Sequence, residues 1–363
     1  MAFSFGFSGD DIDIDTEPIA NPPAPKPSSV PAFPVPGRPQ LPATAHDLST
    51  LLASLPSKIA YDFLDVDLDD GTTLRLPRRE LWDVRVQLMA EDDGGEGGSA
   101  GGDVTEGLGK HDVKTGVYEG GFKSWESSVD LVKTLATDKE LFSPGQSQPL
   151  RVIELGCGTA LPSLALFHWA AEAAKSSLKR PCSFVVADYN PTVLQLVTLP
   201  NFILSWALSN ADSEALKDSF SIEGEVELGT EVLQAFQAFL NERAIDLRLL
   251  SGGWCSEFCH LVEEVSPKAS ERRTLILGAE TIYSPFALQA FTETIFAILE
   301  REKLRQDPTS AATAIIGAKR LYFGVGGSLD DFIAAAQERG AHVASLRDET
   351  EGVRRGVVRC MLG

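Results

Sequence analysis

The chain has 363 residues, 43% of them apolar, with 32 Lys+Arg against 52 Asp+Glu and a net charge of −20. That length carries one large domain with extensions; the acidic balance argues against nucleic-acid binding through a basic surface and suits a basic protein partner steered in by charge. Five scattered cysteines offer no disulfide framework, no basic stretch opens the chain as a secretory signal would, and no apolar run is read as approaching the roughly 18 residues of a membrane span.

Residues 1–45 are acidic and then proline-rich (NPPAPKPSSVPAFPVPGRP), a composition that predicts disorder, interrupted by Phe3, Phe5 and Phe7. Residues 46–109 read as an amino-terminal extension. A helix is predicted up to Leu55 with Asp47 or Ser49 as its cap, followed by a strand over Ile59 to Leu68. Pro77 to Met89 is predicted as a short helix or strand with Trp82 buried. Glu91 to Gly109 is rich in glycine and acid and reads as a linker.

Residues 110–363 read as the compact domain. A turn at Gly120-Gly121 precedes a helix over Ser124 to Leu135, with Val129, Leu131, Val132 and Leu135 for its core face. Arg151 to Leu155 is a buried strand, followed at once by Gly156, Cys157, Gly158 and Thr159, then a helix from Leu161. Strand, glycine turn and helix make a nucleotide-binding unit, because glycine lets backbone approach a ligand closely. Ser183 to Ala187 is the second strand, ending in Asp188-Tyr189-Asn190, and Pro191 opens a helix carrying Val193 to Leu199. An acidic insert and a helix over Glu231 to Asn241 follow. Ile245 to Leu250 is the third strand, running into Ser251-Gly252-Gly253-Trp254, where small residues would admit an adenine ring beside the indole. Thr274 to Leu277 is the fourth, running into Gly278-Ala279-Glu280-Thr281-Ile282-Tyr283. A long helix from Phe286, a strand over Thr313 to Ala318, a helix over Ser328 to Arg339 and two closing strands complete the chain.

This order predicts a doubly wound α/β sheet, which binds ligands outside the carboxyl ends of its strands. Glu154, Asp188, Trp254 and Glu280 all fall at such ends. An acid at the end of the second strand can take both ribose hydroxyls. Cys255 and Cys259 lack a second ligand pair, so no metal site is expected.

The stretch ELGCGTALPS resembles the first motif of class I S-adenosylmethionine methyltransferases, in which the acid, here Glu154, serves the methionine end of the cofactor. Over its whole length, linkers apart, the chain resembles the eukaryotic protein-histidine methyltransferases that modify a large-subunit ribosomal protein. The matching pieces are SFGFSGDD, HDLSTLLASL, RRELWDVRVQLM, KHDVKTGVYEGGFKSWE, ELGCGTALPS, ADYN with VTLPN, SGGWCSEF, AETIYSP and AKRLYFGVGGS. ELGCG and AETIY alone would fit the related lysine methyltransferases; AKRLYFGVGGS, GGFKSWE and the amino-terminal blocks separate the two. The resemblance implies a seven-strand class I sheet, mostly parallel with a C-terminal antiparallel strand. It implies cofactor contacts at Ser124, Trp125, Glu126, Ser127, Ser128, Glu154, Gly156, Gly158, Asp188, Tyr189, Asn190, Gly252, Gly253, Trp254 and Ala279. Where the family commonly has an acid before Trp254, this chain has Gly253. The implied protein is a monomer of cytoplasm and nucleus, with a ribosomal-protein substrate, no direct nucleic-acid contact and no membrane.

A histidine acceptor has an unperturbed pKa of about 6.5, so it needs the right tautomer rather than a strong base. Glu280 is the expected acceptor of the imidazole proton, Asn190 the next, with Trp125, Trp254 and Tyr283 walling the pocket. The alternatives are a lysine methyltransferase, which must deprotonate an ammonium and would want a more acidic pocket, and a non-catalytic module that docks on ribosomal protein. His111, upstream of Trp125, is expected to be a site of slow self-methylation.

Overall fold

The structure is a computed structural model, and it describes residues 40–93, 121–139, 141, 147–173, 180–265, 272–304, 311–322 and 327–363. The strands are β1 (Thr44–His46), β2 (Lys58–Asp67), β3 (Thr73–Arg79), β4 (Leu150–Leu155), β5 (Cys182–Asp188), β6 (Glu225–Glu227), β7 (Ile245–Ser251), β8 (Arg273–Ala279), β9 (Ala311–Lys319), β10 (Ala341–Glu349) and β11 (Arg355–Leu362). The helices are α1 (Leu48–Ala53), α2 (Leu81–Asp93), α3 (Glu126–Ala136), α4 (Leu161–Ala173), α5 (Pro191–Ser209), α6 (Thr230–Glu242), α7 (Ser256–Glu264), α8 (Pro285–Leu304) and α9 (Leu329–Glu338).

β4 and β5 are buried at every position, as the centre of a parallel sheet covered on both faces must be. The main sheet runs β1-β7-β5-β4-β8-β9-β11-β10. β7, β5, β4, β8 and β9 are parallel, and β11 is antiparallel to both neighbours. Seven of these strands have the arrangement of class I methyltransferases; the eighth, β1, corrects the expected count. It pairs antiparallel with β7 from a stretch expected to lie mostly in a disordered tail. Alternate residues feed two cores. Val152, Phe184, Val186 and Leu247 pack with α3, α4, α5 and α6, while Ile153, Val185, Ala187 and Leu250 pack with α7, α8 and α9.

Four further expectations are corrected. Trp82 is 53% exposed; Val84 and Leu88 make the buried face of α2 instead, packed with Phe122, Val193 and Leu196. A helix beginning at Leu81 puts Val84 and Leu88, four apart, on one side. Helix α7 stands between the third and fourth strands of the domain, where none was predicted; its Phe258, Cys259 and Val262 are buried. The helix after Pro191 does not stop at Leu199 but runs through Pro200 by way of a π turn, Leu194–Thr198. At 19 residues, α5 is also long and apolar enough to cross a membrane, although 78% of that window is buried inside the protein, as a core helix is.

The small second sheet, β3-β2-β6, joins the extension to the acidic insert after α5. Its β3 ends in Arg79, whose buried side chain spans to α5, donating from Nη1 to the Leu196 carbonyl at 2.9 Å. Pro200 has no N–H to reach that carbonyl.

Candidate functional site

The glycine loop follows from its backbone angles. Gly156 has φ 64° and Gly158 φ 49°, the left-handed region that glycine enters at least cost. A Cβ on Gly156 would stand 2.6 Å from Thr281 Cγ2 and 3.8 Å from Trp254; one on Gly158 would stand 3.0 Å from the Gly121 carbonyl oxygen. The loop is therefore closed in by the ends of β7 and β8 and by the chain entering α3.

Asp188, buried at the end of β5, accepts the Gly158 N–H on Oδ2 and the Asn190 N–H on Oδ1, both at 3.0 Å. Glu154 is buried near the end of β4 and accepts the Ser163 N–H in the first turn of α4 at 2.9 Å. Burial pushes its carboxyl up to about 7, with the Asp188 charge adding to the rise. Ser124 Oγ lies 2.8 Å from Thr159 Oγ1, which ties the start of α3 to the loop. Asn201, in α5, donates to the Thr159 carbonyl at 3.0 Å and accepts the Arg79 N–H at 2.8 Å.

A second group gathers on the other side of β4. Glu280, just past β8, has φ 57° and donates its N–H to the Gly317 carbonyl of β9 at 3.0 Å. Its Oε1 accepts from Ser127 and its Oε2 from the Tyr322 hydroxyl, the latter at 2.5 Å. Burial raises the Glu280 carboxyl; Lys319, the two hydroxyls and Arg355 pull it back. Burial and Glu280 together push the Tyr322 hydroxyl well up. The Lys319 ammonium lies over two rings, 5.4 Å from the Trp125 centroid and 5.6 Å from that of Tyr322.

Trp254 packs tilted on Phe291 at 5.5 Å and, with Tyr189 and Tyr283, against Ala287 and Ala290 of α8. The structure thus brings together Ser124, Glu154, Gly156, Gly158, Asp188, Asn190 and Trp254 around the loop. It places Trp125, Ser127 and Glu280 in the second group, beside Ala279, which pairs with Gly317. Ser128 donates its N–H to the Trp125 carbonyl at 3.0 Å, closing the first turn of α3. The Glu126 carboxylate goes to Arg355 Nη1 at 2.7 Å rather than to the loop.

Gly252 and Gly253 differ from the expected open face. Gly252 donates its N–H to the Asp188 and Tyr189 carbonyls and Gly253 to that of Leu41. With φ 104°, Gly252 has the Pro42 carbonyl oxygen 2.2 Å from where its Cβ would be. The Gln40 side chain stands 2.8 Å from the Cβ position of Gly253, so the place of the missing acid is filled from the amino-terminal segment. The Tyr189 hydroxyl also accepts from the Leu41 N–H at 3.1 Å. His111 lies outside the described residues.

Lys319, Tyr322, Asn201, Arg79 and Gln40 were not singled out from the residues. The first two stand in AKRLYFGVGGS, and Asn201 in VTLPN, so their blocks were visible while their roles were not.

The chain is 34% identical to histidine protein methyltransferase 1 of Saccharomyces cerevisiae over 93% of its length and 91% of the relative's. It is 32% identical to histidine protein methyltransferase 1 of Schizosaccharomyces pombe over 89% of this chain and 87% of that one. Among solved structures, magnesium protoporphyrin IX methyltransferase from Synechocystis PCC 6803 with bound SAH is similar at a TM-score of 0.32 and 10% identity, covering 78% of this chain and 94% of that one. No family model matches the chain.

Proposed function

The chain belongs to the histidine protein methyltransferase family, and from that premise we propose that its glycine-loop cleft seats S-adenosylmethionine and delivers the methyl group to a histidine of a large-subunit ribosomal protein. The protein is an S-adenosylmethionine-dependent protein-histidine methyltransferase. A monomer acting in cytoplasm and nucleus without direct nucleic-acid contact completes the proposal. The net charge of −20 supports a basic partner.

One observation carries the placement. The short loop is tied to a carboxylate on one side, where Asp188 accepts the Gly158 N–H at 3.0 Å, and on the other side Gly156 faces Thr281, the residue after Glu280. The loop suits a cofactor approached by backbone: Thr281 and Gly121 leave no room for a Cβ at Gly156 or Gly158, so main chain rather than side chain faces the strand ends there. When bound, S-adenosylmethionine supplies an electrophilic methyl on a sulfonium. Asp188 stands where an acid takes ribose hydroxyls. Glu154 stands at the loop's root for the cationic amino group. Trp254, 3.8 Å from the Cβ position of Gly156, and Trp125 at the start of α3 are the proposed aromatic walls, and a ring face favours a cation by about 0.5–2 kcal/mol.

Positioning and exclusion of water do most of the remaining work. A neutral imidazole attacks through its bare nitrogen, so the other nitrogen must give its N–H to an acceptor. We assign that acceptance to Glu280, with Asn190 second and Tyr283 as wall. The Ser127 and Tyr322 hydroxyls use two of the about four acceptor positions of the Glu280 carboxylate and hold its plane.

The test is transfer of labelled methyl from S-adenosylmethionine to purified large-subunit ribosomal proteins, followed by amino-acid analysis. Methyl-histidine is expected. Methyl-lysine as the only product would overturn the acceptor assignment, and no labelled ribosomal protein would overturn the substrate.

A further inference from the structure

Lys319 is the last residue of β9. Its ammonium lies between the faces of Trp125 and Tyr322, at 5.4 and 5.6 Å from the ring centroids. No carboxylate forms a salt bridge with it among the described residues. Lys319 also acts on Glu280, whose carboxyl it pulls down against the rise from burial. Both Glu280 oxygens are already reached by hydroxyls, from Ser127 and Tyr322. The other cation acting on Glu280 is Arg355, which is committed to Glu126 and Asp130 at 2.7 Å each. The backbone fixes the group: Glu280 is bonded to Gly317 and Ala279 is in register with Gly317, two residues before Lys319.

The place of this group follows from the strand order. In the proposed placement, with ribose at Asp188 on β5, the ends of β8 and β9 lie on the far side of β4 from the ribose, the side left for an acceptor. Glu280 and Lys319 stand at those two ends. A lysine acceptor reaches such a pocket as an ammonium, with a pKa of about 10.4, and needs an anion to receive it. A histidine acceptor arrives largely neutral and needs only a hydrogen-bond acceptor.

Resting on the proposed function above, we infer that Lys319 is a specificity-determining residue: it neutralises Glu280 at the acceptor mouth, so that the carboxylate accepts a hydrogen bond from imidazole but does not seat an ammonium. The two rings hold the ammonium in place without consuming its charge, since attraction to a ring face leaves the cation's field intact. Like charge close to an arriving ammonium disfavours it, and exclusion of this kind is how related sites separate substrates.

The experiment uses the full chain and two defined probes. S-Adenosylhomocysteine carries a neutral thioether at the reacting position; sinefungin carries an amine there, which is an ammonium pointed at the acceptor mouth. Calorimetric affinities for both are measured for wild type, Lys319→Met, Lys319→Arg and the double variant Lys319→Met with Glu280→Gln. In Lys319→Met the preference for sinefungin over S-adenosylhomocysteine is expected to rise about tenfold. Lys319→Arg is expected to keep the wild-type ratio, and Glu280→Gln to abolish the gain of the Met variant. A ratio unmoved by Lys319→Met, or a gain that persists with Gln at position 280, would overturn the inference. If Lys319→Met fails to fold, Lys319→Gln carries the same expectation. Wild type that binds neither probe would instead overturn the cofactor placement, an outcome distinct from an unmoved ratio.

Discussion

Glu154 and Asp188 are two acids at the root of one loop with unequal surroundings. Asp188 is tied by two backbone N–H groups; Glu154 has its carboxyl raised to about 7, first by burial. A carboxyl raised in the folded state stabilises fully below its unfolded value, 4.5, and loses that contribution as pH rises through 7. The ligand-free protein should therefore lose up to about 3 kcal/mol relative to Glu154→Gln between pH 4.5 and 8. Denaturant unfolding of both proteins across that window checks it; a difference independent of pH contradicts it. Binding of the cofactor's ammonium favours the ionised form, so affinity should tighten as pH rises through 7 in wild type only. Asp188→Ala removes the partner of two N–H groups, one of them buried, and the proposed ribose acceptor, and should weaken S-adenosylmethionine by about 1–3 kcal/mol. Gly156→Arg should abolish binding, because Thr281 already stands 2.6 Å from the Cβ position. Calorimetry that finds affinity unchanged in both variants would refute the loop as the cofactor seat.

At the scale of elements, α5 shows a helix that its own sequence interrupts and a neighbour repairs. Pro200 removes the hydrogen bond that the Leu196 carbonyl would accept; the π turn and Arg79 answer for it. Arg79 also binds Asp83 Oδ2 at 2.7 Å and Gln87 at 2.9 Å, so β3, α2 and α5 share one guanidinium. The next residue along α5, Asn201, passes the connection to Thr159 in the glycine loop. Arg79→Met should cost about 2–4 kcal/mol, since it leaves a buried carbonyl and a half-buried carboxylate without their donor. A denaturation midpoint within error of wild type would show that the π turn holds without it. Pro200 reads locally as a helix stop, and only a partner more than a hundred residues away in the chain makes it otherwise.

For the molecule as a whole, the amino ends of the central strands are held by charge as firmly as their carboxyl ends are opened for ligand. Glu302 of α8 takes Arg151 at 2.9 Å, Arg272 at 2.6 Å and the Thr274 hydroxyl at 2.9 Å, all buried. Arg151 Nη2 donates onward to the Val262 carbonyl of α7 at 2.5 Å. Glu302→Ala would leave two buried guanidinium groups without their shared anion, and should destabilise by about 3–5 kcal/mol. Thermal unfolding reads this, with methyl transfer below the new midpoint retained, because the network lies at the end of the sheet away from the cleft. Loss of activity without loss of stability would contradict that separation.

Local sequence was enough for the strands of the parallel sheet, their burial and the ends at which chemistry sits, while β1, β3 and β6 lay beyond it. Continuous apolar runs at β4 and β5 admit only a sheet covered on both faces, and the glycines, Glu154, Asp188 and Glu280 follow their strands by chain connectivity alone. Periodicity is a local property, so it located α3, α4, α6 and α9 to within a few residues. What tertiary structure decided is every pairing of residues distant along the chain. β1 closes the sheet edge at β7, and Gln40 fills the space beside Gly253. Arg79 completes α5, and Lys319 and Tyr322 turn Glu280 from a lone acid into a compensated one. No spacing rule carries such information, because a side chain's partner across the fold is set by the summed packing of elements whose relative positions no local window contains.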